Sequence, residues 1–262
     1  MKPIIIENSL APNAIGDSVA AFPALYALGW NKPLQVYFSA EKVRDLFFHP
    51  KIELLTERPE DGEVIDVQKL FSIYAHTGLS LTRSYMMALG LDVLAKSQYL
   101  PEIHFNVGPE RAEKIWDFII APFSWSDNGT NTKLWYEYCW ILLVQELKKN
   151  KFSVGLMGTQ KDYDSMSEEF KKGICDLVDP ILDQNLIEVC KILRDAKIVI
   201  TVDNGINWLA QGMDAAHILL VPNTHHPNWT ANPSQFAVNL PVNSRPENVY
   251  GAIQHLIKTQ KR

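Results

Sequence analysis

Asp17 follows a glycine where an apolar helical pattern begins, shortly after the strand-like segment Pro3–Glu7. A carboxylate beyond the carboxyl end of a first strand can accept a proton from a hydroxyl. It can equally do no more than charge or cap a helix start. Lys133 closes the loop 124–133, which is rich in hydroxyl and amide donors from Ser124 to Thr132. A cation there can stabilise the charge gathering on a diphosphate leaving group. The plainer alternative is a solvated loop that ends at a helix cap supplied by Thr132. A third group, Asp203-Asn204-Gly205, interrupts the apolar, β-branched run Ile198–Val202 just before a helical pattern. Gly205 lets backbone approach a ligand closely, and the N–H groups of the following turn can hold a phosphate oxygen. Asp203 suits sugar or ribose hydroxyls, since like charges repel. Gly158-Thr159 ends another strand in the same sheet and is expected to line the same site as these residues.

The elements that must position these residues alternate between strand and helix. In the first part, strands are expected at Pro3–Glu7, Leu34–Phe38, Ile52–Leu55 and Val64–Val67. Helices are expected at Asp17–Leu28 and Glu41–Phe47, near Gln68–Ala75, and at Leu79–Leu91. Tyr99–Ile103 reads as extended, Val107-Gly108-Pro109 breaks the pattern, and Glu110–Trp116 reads as a helix. The second part continues with strands Asp117–Ala121, Ser153–Met157, Cys175–Val178, Ile198–Val202, His217–Val221 and Phe236–Leu240. Its helices fall at Trp135–Lys149, near Tyr163–Lys172, and at Gln184–Arg194, Ile206–Gly212 and Glu247–Thr259. Strands separated by helical patterns imply βαβ units and parallel sheets. The expected organisation is therefore two α/β domains, residues 1–108 and 109–262.

Three segments, in this order, carry a resemblance: Ile15-Gly16-Asp17-Ser18-Val19-Ala20-Ala21-Phe22-Pro23-Ala24-Leu25, Thr132-Lys133-Leu134-Trp135, and Asp203-Asn204-Gly205-Ile206-Asn207-Trp208-Leu209-Ala210. Together they resemble the bacterial heptosyltransferases, family 9 of the glycosyltransferases. That family has Gly-Asp at the start of the first helix, Lys-x-Trp in the second domain, and Asp-[Ser/Thr]-Gly-x-x-His-Leu-Ala near the end. The resemblance implies the GT-B fold, two Rossmann-like parallel-sheet domains facing a cleft. It assigns the catalytic base to Asp17 and places Gly16 and Ser18 on the acceptor side. It puts the nucleotide-sugar donor against Ser124, Thr132, Lys133, Gly158, Thr159, Asp203, Asn204, Gly205 and Trp208. Trp208 stands where the family has a histidine, which removes a titratable donor. The implied reaction is metal-independent, inverting transfer of a sugar to an acceptor hydroxyl, with the nucleotide sugar as substrate and no resident cofactor.

Composition narrows the alternatives. A chain with 47% hydrophobic and 21% charged residues is ordinary for a globular protein. No apolar run approaches the roughly 20 residues of a membrane span, and no signal-peptide pattern opens the chain. A cytoplasmic location is expected, including the inner face of the membrane, or a host cytoplasm if a phage encodes the chain. Cys139, Cys175 and Cys190 are expected as reduced core thiols. A net charge of −5 argues against extended binding to a nucleic-acid backbone. The absence of G-x-G-x-x-G and of a P-loop argues against a dinucleotide oxidoreductase or a P-loop kinase. Asp162-Tyr163-Asp164 matches a metal-binding D-x-D, but it opens a helix and reads better as an acidic first turn. His225-His226 has no companion at ligand spacing and reads as a loop lining the donor pocket. Trp125 and Trp229 lie in loops and could stack on a base or sugar.

The expected acceptor is a cell-surface glycoconjugate, glycan or lipid-linked. A hydroxylated base in phage DNA is the alternative acceptor. A non-catalytic GT-B-like protein that only binds nucleotide sugars is the alternative of another class.

Overall fold

A computed structural model of the chain describes residues 2–70, 79–91, 105, 107–124, 133–222, 230 and 236–260. The chain divides between Gly108 and Pro109 into two compact units, with Thr230 grouped with the first. Each unit is built on one all-parallel sheet.

The first sheet contains β1 (Ile4–Glu7), β2 (Leu34–Phe38), β3 (Ile52–Leu54) and β4 (Glu63–Asp66), in the order β3-β2-β1-β4. Between β1 and β2 lie α1 (Ile15–Val19) and α2 (Phe22–Asn31). The single helix expected at Asp17–Leu28 is thus two helices. Pro23 sits in the first turn of α2, where its missing N–H costs nothing and its fixed φ favours a fresh start. Glu41–Leu46 forms a 3-10 helix rather than an α-helix, and α3 spans Leu81–Ala88. Phe22, Tyr26, Phe38 and Phe47 pack as an aromatic cluster beneath α2.

The second sheet contains β5 (Phe118–Ala121), β6 (Val154–Gly158), β7 (Asp179–Leu182), β8 (Ile198–Val202), β9 (His217–Val221) and β10 (Ala237–Pro241). Their order is β10-β9-β8-β5-β6-β7. Every residue of β5, β8 and β9 is buried, as expected for strands covered on both faces. On one face α4 (Glu137–Lys149) and α9 (Pro246–Gln260) deliver Trp140, Leu143, Leu147, Val249, Ile253 and Leu256 to the core. At the opposite ends of the strands, Asp117 accepts from the Ser153 N–H and hydroxyl and pairs with Lys197. This ties the starts of β5, β6 and β8 together. Burial works against the Asp117 charge, but Lys197 and Ser153 outweigh it and hold the carboxyl below its usual range.

Several expectations need correction. Residues 110–116 are irregular, not helical. Their backbone is held from outside by Asp195, which accepts from the Ala112 N–H, and by Arg194, which donates to the Glu110 carbonyl. The strand expected at Cys175–Val178 lies instead at Asp179–Leu182, where Pro180 is tolerated because β7 is an edge. The helix expected near Tyr163–Lys172 is two helices, α5 (Gln160–Asp164) and α6 (Glu168–Ile174). Each has its own N-cap, Thr159 and Ser167. Cys139 and Cys190 are buried thiols, but Cys175 is exposed and not a core residue. Between β7 and β8 runs α7 (Leu186–Asp195), and between β8 and β9 runs α8 (Gly205–Gly212). Among the described residues no helix is long and apolar enough to cross a membrane. Tyr99–Ile103, Thr132, Trp125, His225, His226 and Trp229 lie outside the described residues.

Candidate functional site

In an open parallel sheet, ligands sit beyond the carboxyl ends of the strands, at the point where the strand order reverses. Counted from β5, the second sheet has the doubly wound order, and its reversal lies between β5 and β8. The loops leaving those two strands are pinned to each other. Asn204 caps α8 by accepting from the Asn207 N–H at 3.0 Å. Its amide nitrogen donates to the carbonyls of Ala121 (3.1 Å) and Phe123 (2.7 Å). The Ser124 hydroxyl donates to the Asp203 carbonyl at 2.8 Å. The Asn204 side chain is therefore spent on shape, and what it offers a ligand is a positioned helix N-terminus at Gly205.

Lys133 reaches this point. Its ammonium lies 2.8 Å from the Asp203 carboxylate, with side-chain exposures of 26% for the lysine and 5% for the aspartate. The lysine is aimed by its neighbour Trp135, which is buried and donates its indole N–H to the Ser244 carbonyl at 2.7 Å. The Trp135 ring also meets Trp140 edge-on at 5.0 Å. The tryptophan of the Lys-x-Trp motif is thus a core anchor that holds the lysine over the switch point.

Gly158 ends β6, next to β5. A Cβ there would lie 2.4 Å from the Phe123 ring, so only glycine lets Phe123 sit in place. Gly158→Ala should destabilise the fold by about 1–3 kcal/mol, the usual cost of overpacking, and should weaken donor binding by displacing Phe123 and Ser124. An unchanged melting temperature would show that the ring moves freely. The Thr159 side chain is committed to a capping box with Asp162: its hydroxyl donates to the carboxylate at 2.6 Å and accepts from the Asp162 N–H at 3.1 Å. Asp162 is thereby occupied as a cap, and Asp164 accepts from Gln160. Among the described residues no cluster of His, Cys, Asp and Glu could hold a metal ion. Trp208 lies on α8 and is 6% exposed.

The first sheet reverses between β1 and β4, and Asp17 stands there, in the first turn of α1. The N-cap of that helix is Ala14, which supplies no side-chain cap. The Asp17 carboxylate instead accepts from the Asn8 amide at 2.7 Å. Asn8 continues from the end of β1 and also accepts from Gln68 Nε2, at 3.1 Å. Gln68 in turn donates its backbone N–H to Asp66, the last residue of β4, at 3.0 Å. Ser18 is buried and Gly16 is half-buried. Sequence reasoning had not marked Asn8, Asp66 or Gln68. Their signal was positional: polar residues at or just beyond the carboxyl ends of β1 and β4.

Comparison with known proteins bears on the family and the fold. The family model described as glycosyltransferase family 9 (heptosyltransferase) matches residues 118–261. No curated protein matches the sequence. Among solved structures, the dodecameric iron-containing glycosyltransferase TibC of enterotoxigenic E. coli is similar at 15% identity and TM-score 0.70, over 99% of this chain and 77% of that one. E. coli ADP-heptose lipopolysaccharide heptosyltransferase II is similar at 12% identity and TM-score 0.66, over the whole of both chains. E. coli heptosyltransferase WaaC with ADP is similar at 14% identity and TM-score 0.62, over 98% of this chain and all of that one.

Proposed function

The chain belongs to glycosyltransferase family 9, and we propose that it moves a sugar from a nucleoside diphosphate to a hydroxyl of a cell-surface glycoconjugate, without a metal and with inversion. The observation that carries this reading is Lys133 held over the switch point of the second sheet by Asp203 and Trp135. A diphosphate leaving group needs positive charge at that place, and Lys133 and the N-terminus of α8 supply it.

On this reading Asp17 takes the proton of the acceptor hydroxyl. The acceptor oxygen attacks the anomeric carbon while the bond from that carbon to the diphosphate oxygen breaks, and the diphosphate leaves with the electron pair. A single displacement of this kind inverts the anomeric centre. Asp17 acts as base and never as nucleophile.

ADP, which the similar E. coli enzyme WaaC binds in its solved structure, is the first probe. ADP in the presence of a chelator should raise the melting temperature. At about 100 times its dissociation constant the stabilisation should reach about 2.7 kcal/mol. Binding that disappears in chelator and returns with magnesium or manganese would overturn the metal-free mechanism.

A further inference from the structure

The carboxylate that takes the acceptor proton must point one of its oxygens along a fixed line, and Asn8 is built to enforce that. Asn8 is 8% exposed. Its side-chain oxygen accepts from the Leu10 N–H at 3.1 Å, the Ala11 N–H at 3.0 Å and Gln68 Nε2 at 3.1 Å. Three donors converge on one amide oxygen, so the opposite amide orientation would set an NH2 group against all of them. The nitrogen must therefore face Asp17, and it does so at 2.7 Å. Gln68 is itself fixed through Asp66, whose carboxylate accepts from the Gln68 N–H at 3.0 Å and the Ser9 N–H at 3.4 Å. The ends of β1 and β4, far apart in sequence, are thus linked into one hydrogen-bonded frame around Asp17.

We propose that Asn8, braced by Gln68, is a positioning residue that sets the orientation and the proton affinity of the Asp17 carboxylate. The proposal rests on the reading of Asp17 as the base. A neutral amide suits the task. As an N–H donor it favours the charged form of the carboxylate it faces. Titratable groups at this frame include Asp66, Lys69, whose charge acts on the Asp66 carboxylate, and the buried phenol of Tyr85 on α3. Burial first, and then the charges of Asp17 and Asp66, push that phenol well above its usual range. Tyr85 therefore stays neutral.

A structural role alone is the competing account, because Asn8 also closes the turn to Leu10 and Ala11. Two variants separate the accounts. Asn8→Asp keeps a turn-forming acceptor but sets a second carboxylate against Asp17. Asn8→Ser keeps a weaker turn former and is too short to reach Asp17. Titration of the Asp17 carboxyl carbon by NMR, assigned by its loss in Asp17→Asn, needs no substrate. Its midpoint should rise by about one unit or more in Asn8→Asp, since neighbouring carboxylates disfavour each other's charge. It should rise by less in Asn8→Ser. ADP release from ADP-heptose, with water as the acceptor, should show its acidic limb moving upward in step, while ADP affinity stays within about twofold. Should Asn8→Asp fail to fold, the Asn8→Ser titration decides alone. A midpoint unmoved in every variant that folds overturns the proposal. If the midpoint moves but Asp17→Asn leaves turnover intact, the base assignment fails and the frame around Asp17 stands.

Discussion

Replacing Asp17 with asparagine should lower turnover on the acceptor by about 10²–10⁴-fold, the usual worth of the general base it is proposed to be. The substitution keeps the shape of the side chain, and an asparagine at 17 can turn its carbonyl oxygen toward the Asn8 amide, preserving the 2.7 Å contact. What disappears is the capacity to accept a proton. ADP affinity should hardly change, since Lys133, Asp203 and Asn204 all belong to the second unit. The melting temperature should also stay close to that of the parent, because no side-chain cap is lost at Ala14. Steady-state kinetics on a hydroxyl-bearing acceptor, with calorimetric binding of ADP alongside, make the measurement. Full turnover in the asparagine variant would leave Asp17 as a charged first-turn residue and this mechanism without a base.

The turn after β8 was readable from sequence because its parts are local. A β-branched run, an Asp-Asn-Gly turn and a helical pattern lie within fifteen residues, and the structure places β8, the Asn204 cap and α8 in that order. What could not be read there was how Asn204 and Lys133 would be used. Asn204 is consumed by two carbonyls from the end of β5, and Lys133 is paired with a buried carboxylate. Both facts bring together groups some seventy to eighty residues apart, Asn204 because β5 and β8 are sheet neighbours. The frame around Asp17 is hidden for the same reason, since Gln68 reaches Asn8 across a separation of 60 residues. The false helix at Glu110–Trp116 shows the converse error. Ala112, Ile115 and Trp116 fall at helical spacing, but Asp195 and Arg194 satisfy the backbone from outside and hold it irregular.

The pairing of Lys133 with Asp203 makes the lysine a harder residue to test than its motif suggests. Lys133→Ala removes the charge proposed to face the diphosphate, and it also strands a carboxylate that is 5% exposed. Breaking a buried pair on one side costs about 3–5 kcal/mol; the low end applies here because Lys133 keeps 26% of its side chain in water. The single variant should therefore melt well below the parent and also bind ADP about 10- to 150-fold more weakly, the worth of a charge-assisted bond. The double variant Lys133→Ala with Asp203→Asn separates the two effects. An asparagine at 203 carries no charge to strand, so most of the stability should return. ADP affinity should not return, because the cation is still missing. Adenosine, which has no phosphate, should bind all three proteins alike. If ADP affinity recovers along with the melting temperature in the double variant, Lys133 serves only to neutralise Asp203, and the positive charge for the leaving group must come from elsewhere.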